Sequence, residues 1–233
     1  MTVPDGGAPR SACSPGRSVS LILFDLDGTL VDSGPGIRAS VRHAAAAVGI
    51  PEPTSEQLRT LIGPPFPAAF RDVLGVDVPT GDAMMAAYRE VYGAGGMFDV
   101  TVYEGILEAL DELVARGDVL AVTTSKPAVY ARRVVEHLGL TAVFAGGVHG
   151  AALDGSVAGK AAVVGLALTA HDGGPVAGLV GDRHHDVEGA RHHGLACVGV
   201  SWGFGGRAEL EAAGAAAVID KPAELPAALD ALG

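Results

Sequence analysis

The chain has 233 residues, of which 48% are hydrophobic and 18% charged, and this length and composition are those of a globular protein with a sizeable core. The formal net charge of -11 argues against a nucleic-acid or anionic-membrane surface. An anionic substrate would therefore need a locally positive pocket. Only Cys13 and Cys197 are present, far apart, which indicates neither a disulfide framework nor a zinc site.

Residues 1–17 are rich in Pro, Gly and Ser and contain no apolar segment typical of a signal peptide. They predict a loose tail. No apolar run in the chain approaches the roughly 20 residues of a membrane span. We therefore expect a soluble, cytoplasmic protein that contacts neither membrane nor nucleic acid.

The first strong pattern is the apolar run 19–24, which ends in two carboxylates one residue apart. The run is short and bounded by turn residues, which predicts a buried strand. Asp25 would then lie at the carboxyl end of that strand, where open α/β sheets bind ligands, and Gly28 would permit an unusual backbone angle. Asp25 and Asp27 repel each other unless a cation or a shared proton compensates. The turn therefore indicates a metal-assisted carboxylate nucleophile.

From residue 34 to 100 the periodicity predicts helices and no strand. After Gly105, helices alternate with short apolar runs, which is typical of a parallel sheet covered on both faces. The predicted helices are 35–48 (with Ser33 as N-cap and Gly49 as its stop), one opening at Thr54, 65–74, 82–92, 106–116, 128–138, 160–169, 186–193 and 207–213. The predicted strands after the first are 119–124, 142–148, 176–181, 196–201 and 216–219.

These elements predict an α/β fold with a Rossmann-like three-layer core and a parallel sheet. The core domain would consist of residues 18–33 and 101–233, and residues 34–100 would form a small inserted helical domain. The chain would cross between them at Ser33-Gly34 and at 99–103, which we expect to act as hinges.

Polar residues also follow the second core strand. Thr124, Ser125 and Lys126 precede a helix that starts after Pro127, and hydroxyl groups with helix-terminal amides suit an anion. Simple helix capping explains Ser125 equally well, and Thr123 is the alternative to Thr124 by one position.

Lys160 is one of three lysines among 16 basic residues, so a residue placed merely for solubility would here usually be arginine. Lysine offers a compact point charge rather than a planar fork. Lys160 begins a predicted helix after a glycine-rich stretch, and it would point at the strand ends. A solvated lysine at a helix start is the alternative.

A fourth apolar strand ends in Gly181-Asp182, with Asp186 four residues further on. Carboxylates at a strand end suit magnesium, which binds few protein oxygens and keeps several waters. His184, His185, His192 and His193 follow closely. Their pairs are eight residues apart, so we expect structural or surface roles for them, with a second metal site or substrate contacts as alternatives.

The string Asp25-Leu26-Asp27-Gly28-Thr29-Leu30-Val31-Asp32-Ser33, together with the three later motifs, resembles the four motifs of the haloacid dehalogenase superfamily. The match is to its phosphatase branch, and within it to phosphoglycolate phosphatase-like and 5′-nucleotidase-like proteins. In such proteins the helical insertion between the first and second motifs is a cap.

The resemblance implies a role for each motif residue. Asp25 would attack phosphorus and form an aspartyl-phosphate, and Asp27 would act as general acid and then general base. Thr124 and Lys160 would bind the transferring phosphoryl group, with Leu26, Gly28, Ser125 and Lys126 as further phosphate-binding positions. Mg²⁺ would be held by Asp25, Asp27 and Asp182, with Asp186 acting through water or by orienting Lys160.

The function implied is magnesium-dependent hydrolysis of a small phosphate monoester. A phosphosugar mutase or a pyrophosphatase on the same core are alternatives. A non-catalytic binding protein is disfavoured, because none of Asp25, Asp27, Lys160 and Asp182 is missing.

In the predicted cap, the loop 62–66 resembles a specificity loop or is a plain helix connection. Arg71, Tyr88 and Arg89 are candidate substrate contacts or solvated helix residues.

Overall fold

A six-stranded parallel sheet forms the centre of the α/β fold, as predicted. The computed structural model describes residues 19–64 and 66–232, so the predicted tail and Cys13 lie outside the described residues. Among these residues, no helix has both the length and the apolar character needed to cross a membrane.

The elements of the described residues follow in chain order. The strands are β1 (Leu21–Phe24), β2 (Val31–Asp32), β3 (Thr101–Val102), β4 (Val119–Pro127), β5 (Val148–Ala151), β6 (Val176–Gly181), β7 (Cys197–Val200) and β8 (Ala217–Ile219). The helices are α1 (Gly34–Ala47), α2 (Ser55–Thr60), α3 (Ala68–Leu74), α4 (Val78–Ala94), α5 (Ile106–Ala115), α6 (Ala128–His137), α7 (Lys160–Ala170), α8 (His184–His192), α9 (Arg207–Ala213) and α10 (Leu225–Asp230).

The strand order of the sheet is β5-β4-β1-β6-β7-β8. β1 lies in the middle, parallel to β4 on one side and β6 on the other, and all four of its residues are buried. Burial on both faces explains why its sequence is a continuous apolar run rather than an alternating one. The order reverses between β1 and β6, and open α/β sheets bind ligands beyond the carboxyl ends of the strands at such a point.

The predicted strand 142–148 is wrong. Residues 142–147 form turns, and the strand is Val148–Ala151. The apolar run misled because it packs a loop onto the core: Phe144 is buried and meets Phe24 edge-to-face with ring centroids 6.2 Å apart. Its burial is real, but its backbone is not extended. The strand 176–181 is confirmed, and β4 runs three residues beyond its predicted end.

Helix starts were predicted with mixed success. Thr54 caps α2 through a capping box with Gln57, as its sequence indicates. Ser33 precedes α1 but its side chain makes no capping hydrogen bond, so the predicted cap is wrong; the carboxylate of Asp32 accepts from the Gly34 amide at 2.8 Å instead. α4 begins at Val78 rather than 82, with Asp77 as its cap.

Two short strands join the places where the chain enters and leaves the inserted helices α1–α4. β2 and β3 pair antiparallel, with Val31 opposite Val102 and Asp32 opposite Thr101. The sequence did not predict them, since two-residue strands carry no readable period. The entry and exit segments of the insertion are therefore hydrogen-bonded to each other.

The turn after β1 requires glycine at position 28. Gly28 has φ +88°, a left-handed conformation that is unfavourable for other residues. A Cβ there would lie 2.2 Å from Oδ2 of Asp182 and 2.7 Å from Phe204. The absence of a side chain lets the β1 turn pack directly against the residue that follows β6.

We predict that Gly28→Ala destabilises the protein far more than Gly49→Ala, a matched control with φ +73° and open space around its Cβ. Gly49→Ala should cost about 1 kcal/mol, from backbone strain alone. Gly28→Ala adds a clash and should cost roughly 3 kcal/mol or more. Urea denaturation measures both. Equal losses would show that the contact with Asp182 is easily relieved.

Candidate active site

The polar motif residues meet at the carboxyl ends of three neighbouring strands. Asp25 follows β1, Thr124 lies near the end of β4, and Asp182 follows β6. A cleft of about 330 Å³ opens beside Asp25 and Thr124 and extends toward α4. Parallel strands present their carboxyl ends at one edge of the sheet, so residues 157 positions apart in sequence become neighbours.

Lys160 is the centre of the charged cluster. Its ammonium nitrogen lies 2.8 Å from Oδ1 of Asp25 and 2.6 Å from Oδ1 of Asp186, and it donates to the backbone oxygen of Thr123 at 2.8 Å. The residue is only 5% exposed. Three oxygens around one buried ammonium exclude the alternative of a solvated lysine at the start of α7.

Burial strongly perturbs the charged groups. The pKa of Asp25 is raised to about 6, chiefly by burial and further by Asp186, against the opposing effect of Lys160. The pKa of Asp182 is raised well above its usual range by burial and by the neighbouring Asp186 and Asp25. Burial acts to lower the pKa of Lys160, but the two carboxylates outweigh it and raise that pKa. Burial and the neighbouring carboxylates thus oppose ionisation of Asp25 and Asp182, while Asp25 and Asp186 stabilise the charged form of Lys160.

Asp182 is fixed by partners that the sequence analysis did not identify. Its carboxylate accepts from the Thr29 hydroxyl at 3.2 Å and from the Phe204 amide at 2.7 Å. The indole of Trp202 in turn donates to the Thr29 carbonyl at 3.1 Å. Thr29 belongs to a recognisable motif, but nothing local marks Phe204 or Trp202, because their contacts cross the fold.

Asp27 forms an ion pair with Lys126 and lies apart from the group of Asp25, Asp182 and Asp186. Lys126 Nζ lies 2.5 Å from Oδ1 of Asp27 and 5.5 Å from the centre of the Tyr92 ring. The hydroxyl of Thr124 accepts from the Lys126 amide at 3.2 Å. Thr124, Ser125 and Lys126 all line the cleft, whereas Thr123 is fully buried and is not among the lining residues. Lys126 therefore orients the carboxyl group of Asp27.

The carboxylates fit a divalent cation. Oxygens of Asp25, Asp182 and Asp186 lie within 4.8 Å of one another, and all three residues are buried. Counting Asp27 as well, four carboxylates face two ammonium groups in this cluster, which leaves a formal excess of two negative charges. Magnesium prefers such oxygen ligands. Asp27 is predicted to bind the cation through its backbone carbonyl, and its carboxylate is not part of this group of oxygens.

The four histidines divide into two pairs, one at each end of α8. The rings of His184 and His185 are tilted by 45° with their centroids 3.8 Å apart, and Nδ1 of His184 lies 2.6 Å from a carboxylate oxygen of Glu209. Ring atoms of this pair and the exposed carboxylate of Glu188 lie within 4.8 Å of one another. At the other end, His193 Nε2 lies 2.8 Å from the Ala161 carbonyl oxygen. The two pairs thus do not form one four-histidine site.

Arg183 connects the strand-end site to the inserted helices. Its Nε donates to Glu209 at 2.9 Å and its Nη1 donates to the Ile62 carbonyl at 2.5 Å. Gly63, Pro64 and Phe66, from the predicted specificity loop, line the cleft, as do Tyr88 and Arg89; Arg71 is not among the lining residues. The sequence analysis assigned no role to Arg183.

The comparisons with known proteins identify the class of this chain. Residues 22–200 match the family model described as haloacid dehalogenase-like hydrolase. The chain belongs to this family, and the predicted resemblance and enzyme class are confirmed.

Particular relatives are similar over most of their length. A 5′-nucleotidase of Pseudomonas aeruginosa is 40% identical over 82% of this chain and 86% of its own. The tyrosine-protein kinase PtkA of Mycobacterium tuberculosis is 39% identical over 96% and 76%. A phosphoglycolate phosphatase of Pseudomonas savastanoi pv. phaseolicola is 30% identical over 92% and 82%. The crystal structure of a predicted phosphatase from Clostridium acetobutylicum superposes on this chain with a TM-score of 0.83 at 35% identity. The superposition covers 89% of this chain and 97% of the phosphatase.

We predict that Asp25→Asn stabilises the metal-free protein at neutral pH. Folded Asp25 holds its proton more tightly than the unfolded chain does, so the free energy of unfolding falls as the pH rises from 3.8 to about 6. The variant should therefore exceed wild type by on the order of 3 kcal/mol at pH 7.5, and by little below pH 4.

Chemical denaturation in EDTA across this pH range measures the difference. Asp111→Asn, which removes an exposed carboxylate on α5, is the control and should show no such pH-dependent gain. A stability difference between wild type and Asp25→Asn that does not change with pH would contradict the prediction.

Proposed function

We propose that this chain is a magnesium-dependent phosphatase that hydrolyses a small phosphate monoester through an aspartyl-phosphate, in the manner of phosphoglycolate phosphatase-like or 5′-nucleotidase-like enzymes. The observation that carries the proposal is the position of Asp25, which lies at the end of the central strand beside Lys160 and opens onto the cleft. A nucleophilic carboxylate requires this combination of a fixed position and nearby positive charge.

The reaction would proceed in two displacements. In the first, a carboxylate oxygen of Asp25 forms a bond to phosphorus, the bond from phosphorus to the leaving oxygen breaks, and Asp27 gives that oxygen a proton. In the second, Asp27 takes a proton from water, whose oxygen attacks phosphorus and frees Asp25 with inorganic phosphate. Lys126 would set the direction of the Asp27 carboxyl group for both transfers.

The phosphoryl oxygens need donors throughout. The Thr124 hydroxyl, the Lys160 ammonium and backbone amides of the turn at Leu26 to Gly28 would supply them, with Ser125 at the rim. Asp25, Asp182 and the Asp27 carbonyl would hold Mg²⁺. The ion would neutralise the charge of the phosphoryl group and favour in-line attack on it. The contact of Asp186 with Lys160 supports a role for Asp186 in orienting that lysine.

We also propose that residues 34–100 form a cap that excludes water and selects the substrate, on a core of residues 18–33 and 101–233. Its loop approaches the core where Arg183 donates to the Ile62 carbonyl. The paired strands β2 and β3 support a hinge at the two crossings.

Transfer to an acceptor other than water is the second candidate. A phosphosugar mutase would use the same aspartyl-phosphate and pass the phosphoryl group to a sugar hydroxyl. The similarity to a protein named as a tyrosine kinase makes a tyrosine hydroxyl a second possible acceptor. Hydrolysis predicts one inorganic phosphate for each substrate consumed. A shortfall matched by a newly phosphorylated hydroxyl would favour transfer.

We predict different failures for the two aspartates of the first motif. Asp25→Asn should abolish magnesium-dependent turnover of p-nitrophenyl phosphate, with a loss of ~10³-fold or more, because no nucleophile remains. Asp27→Asn should release about one p-nitrophenol per enzyme in a burst and then slow by ~10²-fold or more, since that leaving group needs no proton but water still needs a base. Stopped-flow absorbance measures both. A matching burst in Asp25→Asn would contradict the assignment.

We predict that Thr124→Val lowers kcat/KM for phosphate esters by ~10- to 100-fold, because a hydroxyl donor to the phosphoryl group is lost. Thr123→Val is the isosteric control: the Thr123 side chain is buried outside the cleft and its hydroxyl has no hydrogen-bond partner among the described residues. That variant should keep kcat/KM within about threefold and should not lose stability. The reverse pattern would place the phosphate-binding hydroxyl at position 123.

A further inference from the structure

The far half of the cleft is apolar and aromatic. Beyond Asp25 and Asp27, the lining side chains include Ile37, Leu61, Phe66, Met85, Tyr92 and Tyr130. The volume of the whole cleft, about 330 Å³, lies within the range of ~300–1,000 Å³ found for pockets that take drug-sized molecules. A phosphoryl group alone leaves most of this space to the leaving group.

The aromatic side chains are held in fixed positions by one another. Phe66 stacks on Phe70 with centroids 4.2 Å apart and meets Tyr88 edge-to-face at 5.0 Å. Tyr88 stacks on Tyr92, which meets Tyr130 edge-to-face at 5.5 Å. Phe66 and Tyr130, at the two ends of this series, are half-buried, while Tyr88 and Tyr92 are buried. The exposed parts of the end rings are therefore preorganised apolar surface, which reduces the entropy lost on binding.

The permanent positive charges that line the cleft are largely occupied. Lys160 contacts Asp25 and Asp186, and Lys126 contacts Asp27. Arg183 is bound to Glu209 and to a backbone carbonyl.

Among the described lining residues, this leaves Arg89, which is exposed and donates to the Leu153 carbonyl at 3.3 Å. A carboxylate on the leaving group would enter a largely apolar space, where this water-exposed guanidinium is the one permanent cation among the described lining residues that is not already paired with an acid. Burying an unpaired charge is costly, so the cleft disfavours a second anionic group.

We infer that the preferred substrate is a phosphate monoester whose leaving group carries a flat aromatic ring and no negative charge of its own, a chemistry that nucleoside 5′-monophosphates provide. The inference rests on the proposed function, since it assumes that the phosphoryl group sits at Asp25. It selects against substrates of the phosphoglycolate type, in which a carboxylate lies close to the phosphate ester.

Two matched substrate pairs test the inference on the full chain with Mg²⁺. Ribose 5-phosphate and uridine 5′-monophosphate are both primary alkyl esters and differ by the base. Glycerol 3-phosphate and 3-phosphoglycerate differ by a carboxylate. We expect kcat/KM at least ~10-fold higher for the nucleotide than for the sugar phosphate, and at least ~10-fold higher for the neutral ester than for the carboxylate.

Variants locate the effect. Phe66→Leu keeps an apolar residue but removes the ring, and it should lower kcat/KM about 3- to 10-fold for uridine 5′-monophosphate and hardly at all for ribose 5-phosphate. Val129→Ala, an exposed change next to Tyr130 and outside the lining residues, should alter neither. Thermal melts confirm that both variants fold.

Two outcomes would overturn the inference while leaving the phosphatase proposal intact: equal kcat/KM for the nucleotide and the sugar phosphate, or preference for phosphoglycolate or 3-phosphoglycerate. A loss in Phe66→Leu that is equal for both members of the first pair would also contradict it. If no ester is turned over with Mg²⁺, the proposed function itself fails, and the substrate inference with it.

Discussion

The structure depends on how a buried lysine is shared between carboxylates. Lys160 contacts Asp25 and Asp186 at once, yet Asp182 and Asp27 add two further acids to the same edge of the sheet, and Lys126 balances only one of them. Burying charge in such number is unfavourable without a compensating cation. The fold holds these groups together because they are attached to rigid strand ends and helix starts, which leaves them no freedom to separate.

The order of the strands brings the acids together. β1 and β6 are far apart in sequence, but they are neighbours where the strand order reverses, so Asp25 and Asp182 follow adjacent strands. The missing side chain at Gly28 then allows the two segments to touch. Stability and chemistry conflict here: the arrangement that raises the pKa of Asp25 to about 6 is also the one that aims it into the cleft. Active sites commonly show such perturbed groups.

The sequence allowed prediction of the parts that are local in nature. Apolar runs ending in polar residues predicted the sheet and placed Asp25, Thr124 and Asp182 at strand ends. This was possible because a parallel strand buried on both faces must be a short, continuous apolar run, and such a run can be recognised in the sequence. The apolar run 142–148 was wrongly predicted as a strand by the same criterion. An apolar run indicates burial, but burial alone does not distinguish a strand from a loop packed on the core. The pairing of Lys126 with Asp27, the support of Asp182 by Phe204 and the aromatic series from Phe66 to Tyr130 were not predictable. They depend on side-chain directions and on contacts across the fold, which periodicity does not encode.

The short ribbon of β2 and β3 has a consequence for the history and engineering of this fold. Directly opposed residues in an antiparallel pair lie only about 4.5–5.5 Å apart at their Cα atoms. Because Asp32 and Thr101 are such a pair, the whole segment between them leaves and rejoins the part of the chain that forms the six-stranded sheet at essentially one point. An insertion anchored in this way can be lengthened, replaced or exchanged between homologues while the strands that carry the acids keep their register. Under the substrate-selecting role proposed for this insertion, new substrate preferences could therefore be acquired without rebuilding the strand-end site.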